Sequence, residues 1–309
     1  MSGTRDGTTS EAGGGARRPR YVSHDGFLMP MGFPVEGFES GLRYRPAPDD
    51  VFVASYPKCG TTWTQYLLYL LLHGGEPLAS DGKLEHASPH LEEVGREAVA
   101  ALPSPRLIKT HLPRRLTPWH PRARYVYVAR NPFDCAVSFY HHTRGFVRHY
   151  DFAEGTFDEF FECFLAGEVD FGDYFANLLP WHAERREANV LFVLYEELHR
   201  DLRAAALRIG TFVGGAAAEA CSDDRVLARV LEAASFASMS RDQSRWSSAR
   251  PAGMPPFLRK GTVGDWRSTF SPRQTARLLA RFDAATAGGD AAGLWPDIIA
   301  DARAYAAGA

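Results

Sequence analysis

Val51-Phe52-Val53-Ala54-Ser55-Tyr56-Pro57-Lys58-Cys59-Gly60-Thr61-Thr62-Trp63 holds an apolar run, a short turn and the start of a second apolar run that reaches Leu72. Val51–Ser55 predicts a buried strand and Trp63–Leu72 a helix, so the turn joins a strand end to a helix N-terminus. Free backbone N–H groups and the positive end of a helix dipole meet at such a turn, which makes it an anion site. Lys58 adds a full charge, Gly60 lets the chain bend, and Thr61 and Thr62 add hydroxyl donors. Trp63 offers a flat surface on which a base stacks. The spacing is too short for G-x-x-x-x-G-K-[ST], so the turn is not a Walker A loop. An ordinary βα turn is the competing reading of this stretch taken alone.

Three further short runs, Arg106–Thr110, Arg124–Ala129 and Val190–Tyr195, read as buried strands. Helical stretches separate several of them, at Phe157–Leu165 and Tyr174–Glu187 among others, and more follow at Leu202–Phe212 and Arg225–Ala234. This alternation predicts an α/β fold with a central parallel sheet flanked by helices on both faces. Ligands of such sheets bind beyond the carboxyl ends of the strands. Asn131 is placed to cap a helix with Pro132 at its first position and Asp134 in its first turn. Ser271-Pro272-Arg273-Gln274 has capping-box spacing and opens a helix through Phe282. Residues 1–20, rich in Gly, Ser, Thr and Arg, read as a disordered arm. Residues 21–50 read as ordered but irregular, and 21–309 as one domain.

The chain has 309 residues and a net charge of −2, so no global basic field points to nucleic acid or an anionic membrane. Cys59, Cys135, Cys163 and Cys221 have no metal-ligand spacing and read as free thiols of a reducing compartment. The apolar run Tyr66–Leu72 is too short to cross a bilayer. With no apolar leader near Met1, a cytoplasmic location is expected.

Chemistry-bearing residues cluster at the strand ends. Lys109 and His111, two apart on extended backbone, point to one face. A neutral imidazole there suits removal of a proton from an incoming hydroxyl, and an ammonium suits neutralising a transferred anion. Arg130 ends the third strand, with Ser138 on the following helix on the same side as Asp134, and an Arg fork with a hydroxyl grips phosphate oxygens. Pairing of Arg130 with a carboxylate is the alternative. Arg259-Lys260-Gly261 puts two cations beside a glycine that permits close backbone approach, a candidate second phosphate clamp, with a solvated surface pair as the competing reading. A ligand with two separated phosphate-like groups follows.

Tyr56–Trp63, Lys109-Thr110-His111-Leu112-Pro113, Arg130–Ser138 and Arg259-Lys260-Gly261-x-x-Gly264-Asp265-Trp266, in this order, resemble the cytosolic sulfotransferase family. The resemblance runs from Tyr21 to Phe282 and implies the P-loop-like sulfotransferase fold. It also implies sulfuryl transfer from 3′-phosphoadenosine 5′-phosphosulfate to a hydroxyl or amine, with no metal. Carried over, Lys58, Cys59, Gly60, Thr61 and Thr62 hold the 5′-phosphosulfate and Trp63 lies against adenine. Arg130, Ser138, Arg259, Lys260 and Gly261 hold the 3′-phosphate. Tyr195 and the segment Ser235-Phe236-x-x-Met239 complete the adenine pocket. His111 matches the general base, and Lys58 and Lys109 the catalytic cations. Pro57, Lys109, His111, His142, Phe146, His149 and Phe171 fall where the family lines its acceptor pocket. That lining is aromatic and favours a phenol, catecholamine or steroid acceptor.

Cys59 stands where the family commonly has Ser. At the positions of the dimer signature Lys-x-x-x-Thr-Val-x-x-x-Glu the chain has Arg267, Ser271, Pro272 and Ala276, a degenerate match that leaves a homodimer open. His141, His142 and His149 lack a carboxylate and the spacing for a metal ligand set. The other readings are an ATP-dependent small-molecule kinase, a non-catalytic nucleotide-binding protein on the same fold, and a membrane-anchored carbohydrate sulfotransferase. The first lacks its Walker A and the third its anchor, whereas the second predicts loss of His111 or Lys58, and both are present.

Overall fold

The computed structural model describes residues 16–247 and 250–308. Among them the strands are β1 (Tyr21–His24), β2 (Phe27–Pro30), β3 (Val51–Ser55), β4 (Leu107–Thr110), β5 (Arg124–Ala129) and β6 (Val190–Leu194). Strands β3 to β6 form one parallel sheet in the order β4-β3-β5-β6. Alternation along each strand splits the core into two layers. Phe52, Ala54, Tyr125, Tyr127 and Phe192 face one layer, against helices such as Pro132–Gly145, Phe157–Ala166 and Tyr174–Ala183. Val51, Val53, Val126, Val128 and Val193 face the other, against Thr61–Leu72 and Leu202–Val213. Full burial of such side chains contributes ~1.5–3 kcal/mol each. A one-residue register slip would exchange the two faces, so the pairing is well specified.

The expected strands form, with β6 ending one residue early because Tyr195 opens the helix Tyr195–Arg200. Asn131 caps its helix by accepting the Asp134 N–H at 2.9 Å, and Ser271 and Gln274 form the capping box. Residues 21–50 are more regular than expected. β1 and β2 pair as an antiparallel hairpin around Asp25-Gly26, both at positive φ (47° and 80°), and Val35–Leu42 is helical. An Asp-Gly pair is a favoured two-residue hairpin turn because both positions need a left-handed backbone. The arm expected over 1–20 lies outside the described residues up to 15. Beyond that, the Arg17 N–H donates to Glu159 at 2.8 Å and the Arg20 N–H to the Tyr150 carbonyl at 2.7 Å, which ties this piece to the domain.

β4 is an edge of the sheet, and its outer side is covered by residues 88–93. The Lys109 N–H donates to the Pro89 carbonyl at 3.0 Å, and where the covering segment turns into the helix Leu91–Ala100 the Glu92 side chain takes over. Its Oε1 accepts the Thr110 hydroxyl and the His111 N–H, both at 2.7 Å. No strand edge is left open there.

Candidate active site

The carboxyl ends of β3, β4 and β5 open into one cavity of about 500 Å³, a size usual for small-molecule sites. At the end of β3 the chain reverses through Lys58 (φ 68°) and Gly60 (φ 103°) before entering the helix Thr61–Leu72. A left-handed lysine is uncommon and marks a conformation held by its surroundings. Gly60 is required twice over, by its φ and because a Cβ there would come 2.8 Å from the Tyr195 ring. The Thr61 hydroxyl meets Ser55 Oγ at 2.6 Å and Thr62 borders the cavity. Lys58 Nζ lies 4.2 Å from the centroid of the Phe257 ring. Desolvation, with Arg250, Lys109 and Arg130 adding, holds the Lys58 ammonium well below the usual lysine pKa.

His111 stands across this turn, 7% exposed. Its Nδ1 lies 2.8 Å from the Ser55 carbonyl, and a carbonyl only accepts, so the proton sits on Nδ1 and Nε2 keeps its lone pair. Desolvation first, then Lys109, His90 and Lys58, hold the His111 pKa well below the ordinary histidine value, so the ring is neutral at neutral pH. Lys109 borders the same cavity and is itself lowered by desolvation, against the pull of Glu93 and Glu92.

The residues expected to form a second clamp gather between the N-terminus of helix Pro132–Gly145 and the late loop. Arg130 donates to the Thr262 carbonyl at 3.0 Å, stacks 4.3 Å over the Tyr195 ring and lies 4.0 Å from Asp134. Asp134 in turn accepts the N–H groups of Gly264 at 2.8 Å and Trp266 at 3.0 Å, which fixes the loop over the helix end. Ser138, Arg259, Lys260 and Gly261 complete this end of the cavity. Arg259 and Lys260 both pair with Asp265. Gly261 (φ 64°) lies so close to the Phe236 ring that a Cβ would overlap it. Between the two clamps, Trp63 donates to the Ala234 carbonyl at 2.7 Å and sits edge-on to Tyr195, with Ser235, Phe236 and Met239 beside it.

A third chamber lies beside His111. Phe171, at φ 63°, turns its ring to within 5.1 Å of the imidazole, and His142, Phe146, His149 and Pro57 join it. The expected site residues thus converge on one cavity, with Cys59 as the correction. Its side chain is fully buried on the core side of the turn, 3.7 Å from Cys135 Sγ, and it does not border the cavity. Its N–H is directed to the Tyr56 carbonyl at 3.4 Å. His141 also lies off the cavity lining, its pKa pushed to about 4 by desolvation and by Arg259. Among the described residues no group of three or more His, Cys, Asp or Glu is placed to hold a metal ion, and no helix is long and apolar enough to cross a membrane.

Several residues that shape the site were not marked by the sequence motifs. His90 packs edge-on to His111 at 4.9 Å, with its Nε2 3.3 Å from Glu92 Oε2. Phe257 covers Lys58, and Tyr150 and Asp170 border the third chamber. Their neighbours come from distant segments, so no local pattern announces them.

The sulfotransferase domain model matches residues 48–290, from the start of β3 through the late glycine loop. The chain is 33% identical to sulfotransferase 1C2 of Oryctolagus cuniculus over 259 residues, 79% of this chain and 85% of that protein. The crystal structure of mouse sulfotransferase SULT7A1 complexed with PAP aligns with a TM-score of 0.70 at 25% identity, over 94% of this chain and 99% of that one. Retinol dehydratase in a complex with retinol and PAP aligns with a TM-score of 0.73 at 25% identity, over 88% and 91%. With the Lys58–Trp63 turn, the Arg130–Ser138 and Arg259–Gly261 segments and the Lys109–His111 strand end all inside the matched domain, the chain belongs to the sulfotransferase family.

Proposed function

We propose that this chain transfers a sulfuryl group from 3′-phosphoadenosine 5′-phosphosulfate to a hydroxyl, or an amine, of a small aromatic acceptor, with His111 as general base. The observation that carries this reading is the 2.8 Å contact from His111 Nδ1 to the Ser55 carbonyl, which leaves Nε2 unprotonated on a residue that lines the cavity. The residues fit the donor on their own chemistry. Lys58, Arg130, Arg259 and Lys260 bring four basic side chains to one cavity, and Arg130 Nε is buried without a partner among the described groups. Lys58, Thr61 and Thr62 would hold the 5′ end, and Arg130, Ser138, Arg259, Lys260 and Gly261 the 3′-phosphate. Trp63, Tyr195, Ser235, Phe236 and Met239 would enclose the base.

When bound, the donor supplies the sulfuryl group and a phosphate leaving group. His111 Nε2 takes the acceptor proton as its oxygen approaches sulfur in line with the leaving oxygen. Lys58 neutralises the charge that grows on that oxygen, and Lys109 the charge on the sulfuryl oxygens. Such catalysis is positioning plus electrostatics, and the cations replace a metal in the neutralising role. This reading takes residues 21–309 as one domain acting on free small molecules in the cytosol.

The test is a sulfuryl-transfer assay over phenols, catecholamines, hydroxysteroids and aliphatic alcohols, with His111→Ala beside the wild type. Loss of a general base costs about 10²–10⁴-fold in turnover, while affinity for adenosine 3′,5′-bisphosphate should stay within a few-fold. Equal loss of both would remove His111 from the chemistry, and no binding of the bisphosphate would overturn the donor.

A further inference from the structure

Asp170 is 1% exposed, yet it borders the third chamber of the cavity. The Tyr150 hydroxyl donates to its Oδ2 at 2.8 Å, and Oδ1 has no partner among the described groups. A buried carboxyl oxygen without a donor is rare in folded proteins and calls for a physical account. Its placement supplies one. Asp170 immediately precedes Phe171, whose left-handed backbone is held by donation of its N–H to the Leu28 carbonyl at 2.9 Å. That backbone sends the Phe171 ring to His111 while the preceding residue stays beneath Tyr150. The Tyr150 ring in turn lies 5.7 Å from His142 and 6.3 Å from His149. One wall therefore carries an aromatic face for the reacting end of an acceptor and an unsatisfied hydrogen-bond acceptor next to it.

We propose that Asp170 is a second recognition point for the acceptor. Its Oδ1 receives a hydrogen bond from a hydroxyl or ammonium group at the end remote from the hydroxyl held by His111. The inference rests on the acceptor chamber proposed above and narrows its ligand to aromatic alcohols that bear a second donor. Burial pushes the Asp170 carboxyl up to about 7, against the Tyr150 hydrogen bond, so a donor that satisfies Oδ1 also relieves a strained ionisation. The competing occupant is a water shared with Tyr21, whose hydroxyl lies near the same residue and also lacks a partner. Such a water would make the carboxyl structural.

Calorimetry on the full chain loaded with adenosine 3′,5′-bisphosphate separates the two. The probes are tyramine, 4-(2-hydroxyethyl)phenol and 4-ethylphenol, which share a phenol and differ at the far end. The wild type should bind the first two at least tenfold more tightly than 4-ethylphenol. Asp170→Asn, which keeps a carbonyl oxygen but no charge, should lose the tyramine advantage and keep part of the hydroxyethyl one. Asp170→Ala should lose both, with 4-ethylphenol changed by less than threefold and bisphosphate affinity reporting an intact fold. A wild type without preference, or variants that weaken all three phenols equally, would overturn the proposal in favour of the bridging water. Absence of binding by any of the three also overturns it. Selective binding without sulfuryl transfer to any of them would leave the subsite standing and remove the reaction instead.

Discussion

Glu92 Oε1 accepts the backbone N–H of His111 at 2.7 Å, so a fully buried carboxylate continues the edge ladder of β4 at the residue proposed as the base. Burial alone would raise its pKa, but His90 and the Thr110 hydrogen bond hold it below the usual carboxylate range, so it stays charged. Glu92→Ala would leave the Thr110 O–H and the His111 N–H without their acceptor, while Thr110 Oγ1 keeps the Leu112 N–H. An orphaned buried polar group costs about 1–3 kcal/mol. Denaturant unfolding should show that loss, and Glu92→Gln, which keeps an acceptor oxygen, should recover much of it. Turnover in Glu92→Ala should fall with bisphosphate affinity unchanged. Parallel loss of both would make Glu92 a general scaffold residue instead.

The depressed pKa of His111 fixes the sign of the pH dependence. As the proposed general base His111 would work in its neutral form, and desolvation with the cations Lys109 and Lys58 keeps it neutral well below the ordinary value of about 6.5. The acid limb of kcat/KM for the donor, which reports the free enzyme, should therefore fall below that value. A limb at or above it would contradict the assignment.

Stability should follow the same direction. His111, His90 and His142 are each held below their unfolded pKa, chiefly by desolvation. The unfolded chain therefore binds more protons once the pH drops under about 6.5, and acid favours unfolding. The stabilisation is present above that pH and is lost as the pH falls from there toward the folded values. Melting temperatures between about pH 7 and pH 5 should show the decline, and His142→Phe should flatten it. An unchanged slope in that variant would place the effect elsewhere.

In the late clamp, Gly261→Ala forces a side chain into a left-handed position, at a cost of roughly 1–2 kcal/mol, and pushes it against Phe236. Bisphosphate affinity should drop about tenfold, since 1.4 kcal/mol is a factor of ten. Arg130→Ala removes charged hydrogen bonds worth about 1.5–3 kcal/mol and should cost ten- to a hundredfold. Calorimetric titration reads both. Unchanged affinity in Arg130→Ala would leave only one phosphate clamp.

What the sequence made legible is what short-range chemistry specifies. β3, the turn at Lys58–Gly60 and the capped helix after Asn131 are written in adjacent residues, and they fold as written. Glu92 and Glu93 show why the remainder was hidden. As neighbours they look alike in the sequence, yet Glu92 is fully buried under the end of β4 while Glu93 is half exposed. Only the fold brings Thr110 and His111, 18 and 19 residues on, to the first of them. Asp170 is hidden for the same reason, because Tyr150 and the cavity define it. Cys59 shows the converse, since its place in a ligand loop says nothing of which way its side chain turns. The β1–β2 hairpin did have a local signal in Asp25-Gly26, but strands of four residues give alternation little room to register.

Asp265 holds both Arg259 and Lys260. A phosphate entering between them under the proposed assignment binds by ion exchange, against an internal competitor already in place. Its gain is the difference between two anions, so a dianionic group displaces or shares out the carboxylate, whereas a neutral hydroxyl gains nothing by trying. Under that assignment the loop would act as a charge filter on the ribose 3′ position. Adenosine 5′-phosphosulfate, without the 3′-phosphate, would then meet cations that keep their own aspartate.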